Sequence, residues 1–161
     1  MVKGYSRTQI ALHWAVALLI AFNLIFSDAM SELWAQIEQT GPTPTTTGAW
    51  AHIIVGVAVL AFVAWRLVLR VTRGVPHAPA GTNPLLKLAG DAGHLALYAL
   101  MIAMPVTGLL AFFGGFETLG ELHAELLKSL LWALIGLHVA AAIYHHVFLK
   151  DGLLNRMRKA G

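Results

Sequence analysis

Four stretches of this chain are apolar almost without interruption: Ile10 to Phe26, Ala51 to Leu69, His94 to Phe113 and Leu130 to Leu149. Each has about the 20 residues a helix needs to cross a hydrocarbon core. In lipid the backbone has no water to bond, so such runs must be helical. The polar stretches between them differ in character. Asp28 to Gly48 is acidic and rich in Thr and Pro, Val71 to Gly93 is basic and holds Pro76, Pro79 and Pro84, and Gly114 to Lys128 carries three glutamates. They read as loops, with no folded module and no internal repeat. The predicted fold is therefore all-α: one integral membrane four-helix bundle, a single domain over residues 1–161.

Composition supports this reading. Hydrophobic residues make up 58% of the 161 and charged residues 12%, where soluble domains carry roughly a quarter charged. The net charge is +3, but its basic residues flank the apolar runs, which makes them topology signals and argues against nucleic acid as a partner. Lys3, Arg7, Arg66, Arg70, Arg73, Lys87, Lys150, Arg156, Arg158 and Lys159 fall on one side of a four-span layout, leaving only Lys128 of the eleven for the other. By the positive-inside rule both termini are expected in the cytoplasm. Asp28, Glu32, Glu38, Glu117, Glu121 and Glu125 then lie outside. The first run could pass for a secretory signal, but its length, its His13 and Trp14, and the lack of an A-x-A-like site after Phe26 predict a retained span.

The chain has no cysteine, which excludes disulfides, thiolate-held iron–sulfur clusters and covalent haem attachment. It does have eight histidines, and ionisable residues inside spans tend to mark function. Only His77 lies in a plain loop. His13, His94 and His138, with His145 and His146 beyond it, fall toward the inner side; His52 and His123 fall toward the outer side. A b-type haem needs two imidazoles from neighbouring helices at one depth, with small side chains beside them. Ala17, Gly56 and Ala142 stand one turn after His13, His52 and His138. His123 and His138 are about 22 Å apart along one helix and roughly 60° apart in azimuth, so one span can serve two stacked haems. His145, seven residues after His138, shares its face, and depth counting alone pairs His13 with His145. A lone histidine in a bundle is more often a structural hydrogen-bonding group. Occurrence in all four spans at matching depths points instead to haem. Zinc or copper transport is the weaker metal reading, because the spans hold no Asp, Glu or Cys to help.

Specific strings carry a family resemblance. Tyr5-Ser6-Arg7-x-Gln9-Ile10-x-x-His13-Trp14, Gly93-His94-x-x-x-Tyr98, Gly136-Leu137-His138-x-Ala140-Ala141-Ala142 and His145-His146-x-Phe148-x-Lys150-Asp151-x-x-Leu154-x-Arg156-Met157 together resemble the bacterial cytochrome b561 family of the inner membrane. That family is related to the b subunits of formate dehydrogenase and nickel–iron hydrogenase. The resemblance implies two b haems, the inner held by His13 and His138 and the outer by His52 and His123, with a quinone site near one of them. Members of that family hold the two span-four ligands one residue closer together, so a local π-bulge or a rotated helix end is expected to restore the aim of His123. His145 stays as runner-up ligand or quinone contact. His94, His145, Arg7 and Gln9 are the quinone-site candidates, and Arg66 and Arg70 the candidates for haem propionates.

The expected function is electron transfer between two b haems to or from a quinone, with superoxide:ubiquinone oxidoreductase as one form of it. A haem-b relay subunit for a separate redox partner protein and a metal transporter are the alternatives. One feature argues against superoxide as donor: an outer surface rich in glutamate, with Lys128 its only basic residue, would not attract a small anion.

Overall fold

The computed structural model describes residues 4–79 and 81–161; Lys3, one of the charges used for orientation, lies outside them. The described chain is helical without strands: α1 (Arg7–Ile25), α2 (Asp28–Thr40), α3 (Thr47–Arg73), α4 (Pro84–Gly114) and α5 (Glu117–Leu149), then a 3₁₀ turn at Leu154–Met157. Of these, α1, α3, α4 and α5 are long and apolar enough to cross a membrane.

Local sequence sets the ends. Ser6 begins α1 with a capping box, its hydroxyl accepting from the Gln9 N–H while the Gln9 side chain accepts from the Ser6 N–H, which satisfies two otherwise orphaned donors. Thr46 caps α3 with a single bond, its hydroxyl accepting from the Ala49 N–H. Asn83 caps α4, with Pro84 at its first position, where the missing N–H costs nothing. At the other end of the chain, α5 stops where Lys150 takes a left-handed conformation at φ 49°.

Three elements differ from the sequence expectation. Two spans begin ten or more residues before their apolar runs, α4 at Pro84, where Asn83 caps it, and α5 at Glu117, where no side chain caps it. The stretch expected as an acidic loop contains α2. Its Met30, Leu33, Trp34 and Ile37 follow the i, i+3, i+4, i+7 period of an amphipathic helix, a signal that a search for continuous apolar runs passes over. Leu33 is its buried residue. Within α5, residues Leu122–Leu127 and His145–Leu149 form π turns.

In packing, α1 lies on α3, α3 on α4 and α4 on α5. Val16, Val59 and Val63 form a small core with Ile20, Phe62 and Met101 around it. Every span also exposes large apolar side chains, Leu18, Val68, Leu95 and Leu137 among them. In a chain of this composition, that is the surface lipid covers. The basic end is tied together by polar bonds. Gln9 Nε2 donates to the Gly74 carbonyl at 3.1 Å and Trp14 Nε1 to the Met157 carbonyl at 2.9 Å, while Arg156 donates to the His77 carbonyl. The C-terminal segment thus folds back as a strap across the ends of α1 and the α3–α4 loop.

Candidate functional site

The histidine-bearing faces of α3 and α5 meet at one level. The His52 and His123 ring centres are 6.2 Å apart. The His123 Nδ1 lies 2.7 Å from the Met104 carbonyl. A carbonyl only accepts, so Nδ1 carries the proton and Nε2 presents its lone pair. The Nδ1 of His52 is buried with no partner. A largely apolar cavity opens beside both rings, with about 1140 Å³ of empty space counted to its open side. Its wall includes Asn23, Trp34, Gly56, Gly108 and Lys128. Gly108 lets the ring lie close against α4: a Cβ on it would stand 3.0 Å from Cε1 of His123, tight enough that the ring would have to give. Gly120 likewise leaves room for the Trp34 indole, so α2 meets α5 there and forms part of the cavity wall.

The π turn at Leu122–Leu127 meets the need anticipated from the sequence. It takes up one extra residue, so the 15-residue interval from His123 to His138 has the phase of a regular helix one residue shorter.

At the basic end, α1 and α5 bring His13 and His138 to the same 6.2 Å between ring centres. From α4 comes a third ring, His94, with its centre 5.4 Å from that of His138 and its plane at 72° to it. The sequence placed His94 at this depth but gave no sign that it would touch His138. Arg66 and Arg70 both stand 5.9 Å from the centre of the Tyr98 ring, and Nε of Arg66 is buried with no partner. Among the described residues, no three His, Asp or Glu side chains gather as a site for a bare metal ion.

The remaining candidates lie apart from these pairs. Both polar ends of the Gln9 amide are engaged, Oε1 by the Ser6 N–H and Nε2 by the Gly74 carbonyl. Arg7 is exposed. His145 is hydrogen-bonded through Nδ1 to Asp151 Oδ2 at 2.5 Å. Burial alone would raise the Asp151 carboxyl, but the bonds from His145 and the Leu153 N–H outweigh it and hold the group below its ordinary 3.8. A lowered value means that this contact stabilises the strap above pH 3.8 and is lost as pH falls through the lower, folded value. Asp151→Asn is therefore expected to lower amide protection in residues 150–161 several-fold at neutral pH. Hydrogen exchange checks this, and equal protection in the two proteins would show that the pair does not hold the strap.

Residues that sequence reasoning missed are Met104, whose carbonyl orients His123, and Gly108, Asn23 and Trp34 around the cavity. Asn23 Nδ2 donates to the His52 carbonyl at 3.0 Å. A polar residue in the middle of the α1 apolar run was the available signal for it.

The chain matches the family described as prokaryotic cytochrome b561 over residues 4–160. It is similar to cytochrome b562 of Cereibacter sphaeroides, at 36% identity over 97% of this chain and 96% of that one. A protein of Yersinia pestis named probable superoxide oxidase is 30% identical over 98% of this chain and 97% of its own. Cytochrome b561 homolog 1 of Escherichia coli is 27% identical over 97% of each.

Proposed function

The chain belongs to the prokaryotic cytochrome b561 family, and from that membership we propose that it holds two b haems and moves electrons between them and a quinone. As a multi-pass b-type cytochrome of the bacterial inner membrane, it works in electron transfer. The finer reading rests on one observation above all, the equal 6.2 Å spacing of two histidine pairs drawn from different helices. An imidazole nitrogen sits about 2.0–2.1 Å from a bound metal and about 1.1 Å from its own ring centre, so two imidazoles across one iron have centres about 6.3 Å apart. The donor sets therefore fit haem, with His52 and His123 for the outer one and His13 and His138 for the inner. The buried, unpartnered Nε of Arg66 at the inner level suits a propionate carboxylate. His138 is preferred to His145 because its ring faces His13, while His145 is occupied with Asp151.

Haem b, when bound, supplies a one-electron Fe(III)/Fe(II) couple. The protein supplies the rest. The Met104 carbonyl fixes the His123 tautomer, the small residues Gly56 and Gly108 leave space for a flat ring, and α2 adds Met30 and Trp34 to the wall of the outer level. We place the basic end in the cytoplasm by the positive-inside rule. Quinone reduction takes two electrons and two protons, and His94 and the His145–Asp151 pair put titratable groups at that end. The relative named probable superoxide oxidase favours superoxide as donor. Two superoxide anions would then yield two dioxygen molecules while one quinone becomes quinol.

The test is haem content and turnover of the purified protein. About two haems per chain, with quinol formed on adding a superoxide source and a quinone, is the expected outcome. A colourless preparation made with porphyrin in plentiful supply would end the haem reading; one haem per chain would end the pairing proposed above.

A further inference from the structure

The outer cavity has a charge pattern opposite to that of the surface around it. Asp28, Glu32, Glu38, Glu117, Glu121 and Glu125 are all exposed, and none of them lines the cavity. Its one charged lining residue other than the two histidines is Lys128, which is half-buried and makes no ion pair among the described residues. Glu125 and Glu121 are near in sequence, yet the lysine does not pair with either.

The π turn accounts for this. The backbone N–H of Lys128 bonds the carbonyl of His123, five residues back. In a regular helix a residue five positions on points well away from the first, but one π step sets the two on nearly the same face. The extra residue that aims His123 at His52 therefore also turns Lys128 into the cavity beside them. An ammonium group held in a largely apolar wall, to which α2 contributes, acts at lower effective dielectric than one in water and needs a partner.

We propose that Lys128 holds a carboxylate of the outer haem, its ammonium group pairing with a propionate of the ring seated between His52 and His123. This rests on the two-haem reading above. The pairing explains why the single lysine of the acidic end is turned inward. It also sets the electronic environment of that haem, since a positive charge nearby favours the reduced state and an unpaired propionate favours the oxidised one.

Redox titration followed at the haem α band tests it, in wild type, Lys128→Met and Lys128→Arg, with the outer transition identified by its loss in His52→Ala. In Lys128→Met the equilibrium for reducing the outer haem is expected to fall about tenfold, which for one electron is about 59 mV. The inner haem stays where it was, and Lys128→Arg restores most of the difference, because guanidinium also pairs with carboxylate. Loading the apoprotein with haem dimethyl ester, which has no free carboxylate, abolishes the effect of Lys128→Met. An unchanged outer transition in Lys128→Met overturns the proposal, as does a shift of the same size in ester-loaded protein; the latter would point to a free anion or to the lysine charge alone. Should Lys128→Met purify without its outer haem, retention becomes the readout: ester haem then also fails to stay at the outer site of the wild-type protein if the pairing holds, and stays if it does not. Wild type with a single haem overturns this proposal together with the two-haem reading, whereas wild type with two haems and an indifferent Lys128 removes only the pairing.

Discussion

Replacing His123 with glycine is expected to leave a protein with one haem in place of two, and imidazole added to the buffer should restore the second. A b haem in a chain without cysteine is held only by axial bonds and packing, and removing one imidazole takes away both a bond and the ring that fills the space beside it. Its partner His52 lies 6.2 Å away between ring centres and has no hydrogen bond at its buried Nδ1 to hold it in place of iron. His52→Ala should have the same effect, while His13→Ala and His138→Ala should remove the other haem. Haem-to-protein ratio and the split of the α band report which is lost. Rescue by imidazole separates ligation from folding, because a collapsed bundle has no cavity for the free ligand to enter. Loss of the inner haem in His145→Ala with retention in His138→Ala would reverse the inner assignment.

The spans were legible in the sequence because lipid imposes one demand, apolarity without a break, that four runs of residues meet and the rest of the chain does not. Their ends were not legible, since Asn83 with Pro84 and the acidic turn at Glu117 extend two helices into polar sequence. The histidines at the outer level were found by depth. At the inner level depth counting pairs His13 with His145, whereas the structure sets the His13 ring beside that of His138, and the reason is an overhang. His13 comes six residues after the start of α1, about 9 Å, whereas His138 precedes Leu149 by 11 residues, about 16 Å, so α5 runs past the end of its neighbour by about 7 Å. The family pattern pairs His13 with His138, the two rings the structure brings to 6.2 Å, where counting from the apolar edges does not. What no pattern in one sequence could reveal is rotation about a helix axis. The contact of His94 with His138, the bond from His123 to Met104 and the inward turn of Lys128 all depend on it. The π turn lies between these cases. It was legible only as a one-residue misfit in spacing, and the structure shows that the misfit is what aims two side chains into the cavity.

Gly108→Val is expected to empty the outer site while leaving every histidine in the chain. A Cβ at this position would stand 3.0 Å from Cε1 and 3.1 Å from Nδ1 of His123, closer than carbon atoms pack without strain. The imidazole must therefore give by a few tenths of an ångström for the Cβ alone, and by more for the γ methyls. Moving it strains the 2.7 Å bond to the Met104 carbonyl that sets its tautomer. Neither effect can be absorbed by a rotamer change of the valine, because the clash begins at the first side-chain atom. Overpacking of this kind costs about 1–3 kcal/mol, and at about 1.4 kcal/mol per factor of ten it should weaken outer haem retention between about 5- and 150-fold. Gly108→Ala adds the Cβ alone and should lie at the low end of that range. The inner pair, about 22 Å away along α5, has no contact with this position and should keep its haem in both variants. Dissociation to an apo-globin acceptor measures the two sites separately through their α bands. Equal retention in wild type and Gly108→Val would mean that His123 is not held against α4 when haem is bound, and with it would go the claim that the Met104 carbonyl orients this ligand.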